Sequence, residues 1–271
     1  MNPKPGHKKK KQTETLDEII FLGTGGARYV IAKQLRATGG IFFRLGGKNV
    51  LVDPGPESYF RFLSYLPKFN AEKIDAIILS HKHIDHSADI NVYLDVMTKG
   101  GFNKNGILLA PQDAFGEEGV VYKYLLSFLN EVIYIEEGLE FTLGDLKFVF
   151  PLRHKHRVET YGFKLFYKDA TVSYITDTKF FSELIDVYQA DVLIVNLIKL
   201  ERSEIDHLSV PECAEIIKGI KPRVAIITHF GMTMLRAGPW NIARRLKQMT
   251  GVTVLAAEDG KHYELKKLLS Y

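Results

Sequence analysis

Short apolar runs that end in a polar residue recur along the chain and predict buried β-strands. The clearest lie at residues 74–80, 191–197 and 223–228. Stretches with helical spacing of apolar residues alternate with them, for example 57–66 and 211–219. The order of strands followed by a helix occurs twice, so the pattern predicts an α/β protein with two similar halves.

The densest chemistry follows the strand predicted at 74–80. Three histidines and an aspartate fall within six positions where that strand ends, namely His81, His83, Asp85 and His86. Imidazole and carboxylate side chains at this spacing are suited to a divalent ion such as Zn²⁺. The segment therefore predicts a metal site.

Other acidic and imidazole side chains directly follow predicted strands. Asp53, Asp177 and His229 each come after an apolar run, whereas His156 and His207 lie in loops just before new elements. If the strands share sheets and point the same way, their ends gather at one edge, which is where α/β proteins keep their chemistry. We therefore expect a single site there.

Charge is distributed unevenly along the 271 residues. Residues 1–12 hold five of the 36 basic residues and none of the 32 acidic ones, so the rest of the chain is close to neutral. Bulk charge therefore does not predict a general nucleic-acid binder. We predict a flexible basic tail at 1–12 and a single domain at 13–271.

Cysteine content and hydropathy indicate the cellular setting. Cys213 is the one cysteine, which excludes an internal disulfide, and no apolar run approaches the roughly 18 residues of a membrane span. The lysine-rich N-terminus has no apolar segment after it, so it does not predict a secretory signal. We expect a cytoplasmic protein without membrane contact. Trp240 is predicted to pack in the core.

The order of these segments resembles the metallo-β-lactamase superfamily along almost the whole chain. The matching segments are 21–27 (FLGTGGA), 52–55 (VDPG), the His-x-His-x-Asp-His signature at 81–86, a histidine before 160–162 (TYG), 174–178 (YITDT) and 228–231 (THFG). Within the superfamily the order looks most like ribonuclease Z and the related small phosphodiesterases. The resemblance implies a four-layer αββα sandwich with a dinuclear metal site at one edge.

The resemblance also assigns metal ligands. It implies three residues for each of two ions and one bridging carboxylate: His81, His83 and His156 for one ion, Asp85, His86 and His229 for the other, and Asp177 between them. Zn²⁺ suits an imidazole-rich set, and Mn²⁺ or Fe also fits the oxygen share. Asp53 is expected to orient a ligand histidine. The family pattern selects His156 over His154, which is then expected to be an exposed loop residue beside the cleft.

The function implied is hydrolysis of a phosphodiester by a hydroxide that bridges the two metals. Asp85 would orient this nucleophile as well as bind metal, and His207 would contact the phosphate or protonate the leaving oxygen. A structural alternative for His207 is its position next to Ser209, which can cap the following helix. Small or cyclic phosphodiesters are favoured over RNA ends, because no glycine- and proline-rich arm of the ribonuclease Z kind is visible.

Two alternatives remain open from the sequence. The same ligand set serves hydrolases that act on a thioester, a lactone or a β-lactam. A non-catalytic relative that binds metal is the other alternative, although none of the expected ligands is missing. Relatives are often dimers, so a homodimer is an expectation by analogy.

Overall fold

The computed structural model describes residues 16–271 and contains two seven-stranded β-sheets. Six strands of the first sheet come from the N-terminal half of the chain: β1 (Glu18–Phe21), β2 (Ile41–Leu45), β3 (Lys48–Val52), β4 (Ala76–Ile78), β5 (Ile107–Pro111) and β6 (Glu131–Ile135). The predicted basic tail at 1–12 lies outside the described residues.

The second sheet follows in sequence, and the last strand returns to the first sheet. The remaining strands are β7 (Leu139–Leu143), β8 (Leu146–Phe150), β9 (Phe163–Tyr167), β10 (Ala170–Ile175), β11 (Val192–Asn196), β12 (Val224–Thr228), β13 (Thr253–Ala256) and β14 (His262–Glu264). The spatial orders are β14-β1-β2-β3-β4-β5-β6 and β13-β12-β11-β10-β9-β8-β7. The two sheets therefore repeat one plan, as the sequence predicted.

Each sheet combines antiparallel and parallel pairing. Strands β1, β2 and β3 pair antiparallel, and β3 to β6 pair parallel. In the second sheet β7 to β10 are antiparallel and β10 to β13 are parallel. The parallel strands β4, β11 and β12 are buried along their whole length, which explains their continuous apolar runs.

Helices cover the outer face of both sheets. The α-helices of the described residues are α1 (Arg28–Ala32), α2 (Ser58–Tyr65), α3 (Ile84–Ser87), α4 (Ile90–Met97), α5 (Lys123–Leu126), α6 (Glu183–Val187), α7 (Val210–Ile220), α8 (Met232–Ala237), α9 (Pro239–Thr250) and α10 (Leu265–Leu268). Apolar residues of α2, α4 and α5 pack on the first sheet, and those of α6, α7 and α9 pack on the second.

A third apolar core lies between the sheets. It contains residues of both, for example Phe43 of β2 and Phe163 of β9, whose rings meet edge to face at 6.0 Å. The layers are therefore helices, sheet, sheet and helices, which confirms the predicted αββα sandwich. This shared core supports our proposal of one domain from residue 13 to 271.

Two findings complete the outline. Trp240 was wrongly predicted to be a core residue: it is 45% exposed at the start of α9, beneath the ammonium group of Lys261. Pro239 opens that helix, so Trp240 lies in its first turn. Among residues 16–271, no helix combines the length and apolar character needed to cross a membrane. The cytoplasmic location stays a prediction.

Candidate metal centre

Polar residues at the carboxyl ends of the parallel strands of both sheets meet at one edge of the sandwich. Asp53 follows β3, Asp177 follows β10 and His229 follows β12. A hydrogen bond across the two sheets joins Tyr174 Oη to Asp53 Oδ2 at 3.0 Å. The sequence-based expectation of a single site at this edge is therefore correct in its geometry.

Three histidines form one part of this site, which we name the three-histidine group: His81, His83 and His156. One ligand atom from each lies within 4.8 Å of the others. The nearest pair is His156 Nε2 and His83 Nδ1, which are 3.1 Å apart. His156 Nδ1 faces the backbone oxygen of Asp206 at 3.0 Å, so its Nε2 remains directed at the other two rings.

Four side chains form the other part, which we name the carboxylate group: Asp85, His86, Asp177 and His229. All four are buried, and one ligand atom from each again lies within 4.8 Å of the rest. His86 Nε2 and His229 Nε2 are 2.9 Å apart, and His229 Nε2 is 3.2 Å from Asp85 Oδ2. Either group has the number and type of side chains that a divalent ion requires.

Asp177 lies between the two groups. Its Oδ2 atom is 3.5 Å from His86 Nε2 in the carboxylate group and 3.9 Å from His81 Nε2 in the three-histidine group. The carboxylate therefore stands where the sequence analysis expected a bridging ligand. That role remains a proposal.

Asp53 organises the buried side of the centre. Its carboxylate accepts hydrogen bonds from the backbone nitrogen of Ser80 at 2.7 Å and from the Ser80 hydroxyl at 2.8 Å. The same carboxylate lies 3.0 Å from His86 Nδ1, which leaves His86 Nε2 directed into the site. A carboxylate behind a histidine fixes the ring orientation and raises its basicity, as predicted for Asp53.

Buried charges dominate the electrostatics. Burial alone would lower the pKa of His86, but the carboxylates of Asp53 and Asp85 raise it well above its usual value. Burial would likewise raise the pKa of Asp177, but the imidazoles of His229 and His207 hold it well below its usual range. The centre therefore keeps ionised carboxylates away from water, an arrangement that attracts a cation.

Strained backbone occurs at three positions of the site. Ala27, Asp53 and His229 have φ values of 66°, 50° and 62°, a left-handed region that costs a residue with a side chain about 1 kcal/mol or more. Such conformations persist where the surrounding structure imposes them, and they concentrate at functional sites. The site therefore contains three of the eight non-glycine residues with positive φ in the described part of the chain.

The glycine-rich segment after β1 packs directly against this edge. The backbone nitrogen of Ala27 donates a hydrogen bond to Asp85 Oδ2 at 2.9 Å. A Cβ atom at Gly26 would lie 2.3 Å from His229 Nδ1, so a larger residue would displace the imidazole. Because glycine has no side chain, the backbone can approach the site this closely at Gly26.

Unpaired buried nitrogens test whether the residues fit a metal. His81 Nε2 and His229 Nδ1 are buried and have no hydrogen-bond partner among residues 16–271. An unpaired buried polar atom costs about 1–3 kcal/mol, so native proteins rarely tolerate a cluster of them. Imidazole nitrogens that converge beside ionised carboxylates match the donor set of a divalent transition ion. The residues present therefore fit such a group.

His207 lies beside both groups. Its ring packs edge to face on His156 with centroids 5.2 Å apart, and its Nδ1 is 3.5 Å from Asp177 Oδ2. Burial lowers the pKa of His207 to about 4, partly offset by Asp177. Ser209 does begin α7 with a capping box that includes Glu212. His207 therefore lies next to both the helix cap and the site.

His154 was wrongly predicted to be exposed. It is 2% exposed, its Nε2 is 2.8 Å from the hydroxyl of Tyr188, and burial lowers its pKa to about 3. Its ring packs against Gly162, where an added Cβ atom would lie 2.9 Å from His154 Cε1. The contact with Tyr188 spans 34 residues, so local sequence could not reveal it.

Sequence reasoning missed several residues that support the site. Ser80 follows β4 by two residues and Asn196 is the last residue of β11. A polar residue at a strand end is the signal that had identified Asp53, but both residues were taken as part of the strands. Asp259 accepts hydrogen bonds from the backbone nitrogens of Thr24 at 2.9 Å and Ala37 at 3.0 Å, and so anchors the glycine-rich segment. No local pattern distinguishes Asp259 from an ordinary turn residue.

Comparison with known proteins identifies the family. The sequence profile described as "Beta-lactamase superfamily domain" matches residues 48–230. The uncharacterised protein MJ1374 of Methanocaldococcus jannaschii is 32% identical over 258 residues, which cover 92% of this chain and 95% of the relative. The chain belongs to the metallo-β-lactamase superfamily. This confirms the resemblance from which the ligand assignment was made.

Solved structures show the same superfamily fold. The metallo-β-lactamase fold protein YhfI of Bacillus subtilis has a TM-score of 0.76 at 24% identity, over 92% of this chain and 99% of that one. A diphosphatase of the PhnP family has a TM-score of 0.70 at 18% identity, over 92% and 98%. The superfamily consists of metal-dependent hydrolases, and the cluster described above suits a divalent ion.

Proposed function

We propose that this protein is a dinuclear metal-dependent phosphodiesterase that acts on small or cyclic phosphodiesters. The three-histidine group would hold one ion, and the carboxylate group without Asp177 would hold the other, with Asp177 shared. Zn²⁺ suits the five imidazoles best, and Mn²⁺ or Fe also fits. Bound divalent ions supply Lewis-acid polarisation of phosphoryl oxygens and an activated water at neutral pH.

The observation that carries the proposal is the position of His207. Its Nδ1 is buried and without a hydrogen-bond partner among the described residues, although it lies 3.5 Å from Asp177 Oδ2. The side chain is 19% exposed, so a substrate can reach it from the open side of the site. We propose that His207 contacts the phosphate and assists the leaving oxygen by donating a hydrogen bond. Its low pKa leaves the ring neutral near pH 7, so transfer of a proton would require the bound anionic phosphate to raise that pKa.

Asp85 has a second role in this proposal. The backbone nitrogen of Ala27 and the ring of His229 both face its Oδ2 atom, at 2.9 Å and 3.2 Å. These contacts fix the carboxylate orientation before substrate arrives. A carboxylate held in this way can accept a hydrogen bond from the attacking water and orient it towards phosphorus.

Basic residues beside the candidate ligands favour an anionic substrate. Lys155 and Arg157 flank His156 and are both exposed. Lys82 lies between two candidate ligands, but the carboxylate of Asp113 is 3.7 Å from its ammonium group and partly neutralises it. A cationic rim attracts a phosphodiester and gives no such advantage to a neutral thioester or lactone. The diphosphatase among the structural neighbours acts on phosphate groups by its name, which agrees with this choice.

The substrate class is tested on protein reconstituted with Zn²⁺ or Mn²⁺. The panel contains bis(p-nitrophenyl) phosphate, a 2′,3′-cyclic nucleotide, a short RNA, an acyl thioester, a lactone and a β-lactam. We expect turnover of the first two substrates and little of the last three. Turnover of thioesters or lactones without any phosphodiester activity would overturn the proposal.

The role of His207 is tested by His207→Ala. We expect phosphodiester turnover to fall by a factor on the order of 10²–10⁴ while metal content stays unchanged. His262→Ala is a matched control, because His262 is a partly exposed histidine that pairs with Glu18 away from the site. Equal turnover in His207→Ala and the parent protein would remove His207 from the mechanism.

A further inference from the structure

Asn196 contacts the shared carboxylate of Asp177 from the end of the neighbouring strand. It is the last residue of β11, and β11 lies parallel to β10, whose end leads into Asp177. The Asn196 side chain is nearly inaccessible, with 4% of the residue exposed. Its Nδ2 atom donates a hydrogen bond to Asp177 Oδ1 at 2.9 Å.

The two oxygens of Asp177 therefore have different surroundings. Oδ1 accepts a hydrogen bond from the Asn196 amide and lies 3.4 Å from His229 Nδ1, whereas Oδ2 lies 3.5 Å from both His86 Nε2 and His207 Nδ1. Without a donor on Oδ1, rotation about the Cβ–Cγ bond could exchange the two oxygens. The amide contact fixes which of them faces His86 and His207.

The chemistry of the amide suits this role. A neutral donor satisfies Oδ1 without cancelling the negative charge of Asp177, whereas a lysine or arginine there would compete with a metal ion. The opposite amide orientation would place the Asn196 oxygen against a carboxylate oxygen, so Asp177 dictates which way the amide faces. In the resulting orientation Asn196 Oδ1 has no hydrogen-bond partner within residues 16–271.

We infer that Asn196 is a positioning residue that holds Asp177 Oδ1, so that Oδ2 is directed between the three-histidine group and the other candidate ligands. This inference rests on the proposed metal centre but not on the substrate class. Asn196 would then have a functional role at the end of β11, which the apolar sequence of that strand does not indicate. The expected consequence of losing the amide is weaker metal binding, because outer contacts of this kind change metal affinity by about 10–100-fold.

The test compares Asn196→Leu, which removes the donor at similar volume, with Asn196→Asp, which replaces the donor by an acceptor. Metal dissociation constants are measured by competition with a chromophoric chelator, and the visible spectrum of the Co²⁺ form reports ligand geometry. We expect dissociation constants about 10–100-fold higher for Asn196→Leu, with an altered Co²⁺ spectrum, and kcat should fall more than KM rises.

Ser173→Ala is the matched control. Ser173 is buried in the neighbouring β10 with an unpaired hydroxyl and makes no contact with Asp177 among the described residues. It should keep the metal affinity and Co²⁺ spectrum of the parent. Thermal unfolding of each metal-free variant shows whether it folds. If Asn196→Leu does not fold, the metal affinity and Co²⁺ spectrum of Asn196→Asp test the positioning role instead.

The outcomes separate this inference from the proposed function. If folded Asn196 variants bind metal with the affinity and Co²⁺ spectrum of the parent, the positioning role is wrong, whatever the substrate. If the parent binds two metals but hydrolyses no phosphodiester, the proposed function fails and the Asn196 result still stands.

Discussion

The two halves of the centre differ in how firmly the protein holds them. The carboxylate group is buried, and its members are fixed from behind by Asp53, by Asn196 and by the backbone of Ala27. In the three-histidine group, His83 and His156 are partly exposed, and His156 is oriented by a backbone oxygen of a loop. One half is preorganised by buried hydrogen bonds, and the other depends on more accessible contacts.

This difference in preorganisation indicates which half of the site should bind metal first. Preorganised ligands lose little conformational entropy on binding, and two ionised carboxylates add Coulombic attraction in a buried environment. Burial lowers the pKa of His83, so its ring is neutral near pH 7. The three-histidine group therefore lacks the negative charge that the carboxylates bring to the other half. We therefore predict stepwise occupancy, with the carboxylate group filled at the lower metal concentration.

The largest effect on bound metal should be seen when two single variants are compared, each of which lacks one histidine from a different half. His86→Ala is expected to reduce bound metal to less than one ion per chain, because it removes a ligand from the tighter half. His83→Ala should retain about one ion per chain. Both variants should lose phosphodiester turnover, and metal analysis of the dialysed proteins measures the difference. Equal metal content in the two variants would contradict the ranking.

A smaller effect is expected from the residue behind His86. Asp53→Asn keeps the shape of the side chain but weakens its contact with His86 Nδ1, and we expect metal affinity to fall by about 10–100-fold at the carboxylate group. Asp191→Asn, at a partly exposed aspartate paired with Arg223 away from the site, is the control. Calorimetric titration with Zn²⁺ gives both affinities, and a loss confined to the weaker binding step would show that Asp53 supports the other half.

Much of this arrangement was predictable from sequence because the strands are short and buried. A polar residue that follows a buried apolar run lies where the strand ends, at the rim of the sheet. That rule located Asp53, Asp177 and His229. The ligand assignment, however, came from the family resemblance and not from the rule. The division of the seven residues into two groups agrees with that assignment, although their roles as ligands remain to be tested.

The missed features depend on contacts between distant segments. The burial of His154 depends on Tyr188, and the hydrogen bond of Asn196 depends on parallel pairing of β10 with β11. The left-handed conformation of His229 occurs where its ring packs against Gly26, a residue 203 positions earlier in the chain. A linear sequence carries the residues of such contacts but not their proximity.

The central claim is that the two halves bind metal with different affinities. The most direct test is a Zn²⁺ titration of the metal-free protein that is monitored by calorimetry, together with thermal unfolding measured at each metal ratio. We predict two binding steps whose dissociation constants differ by about tenfold or more, with most of the rise in Tm occurring in the first step. The first step should persist in His83→Ala and disappear in His86→Ala. A single step of two equivalent ions, or loss of the first step in His83→Ala, would contradict the distinction between the two halves.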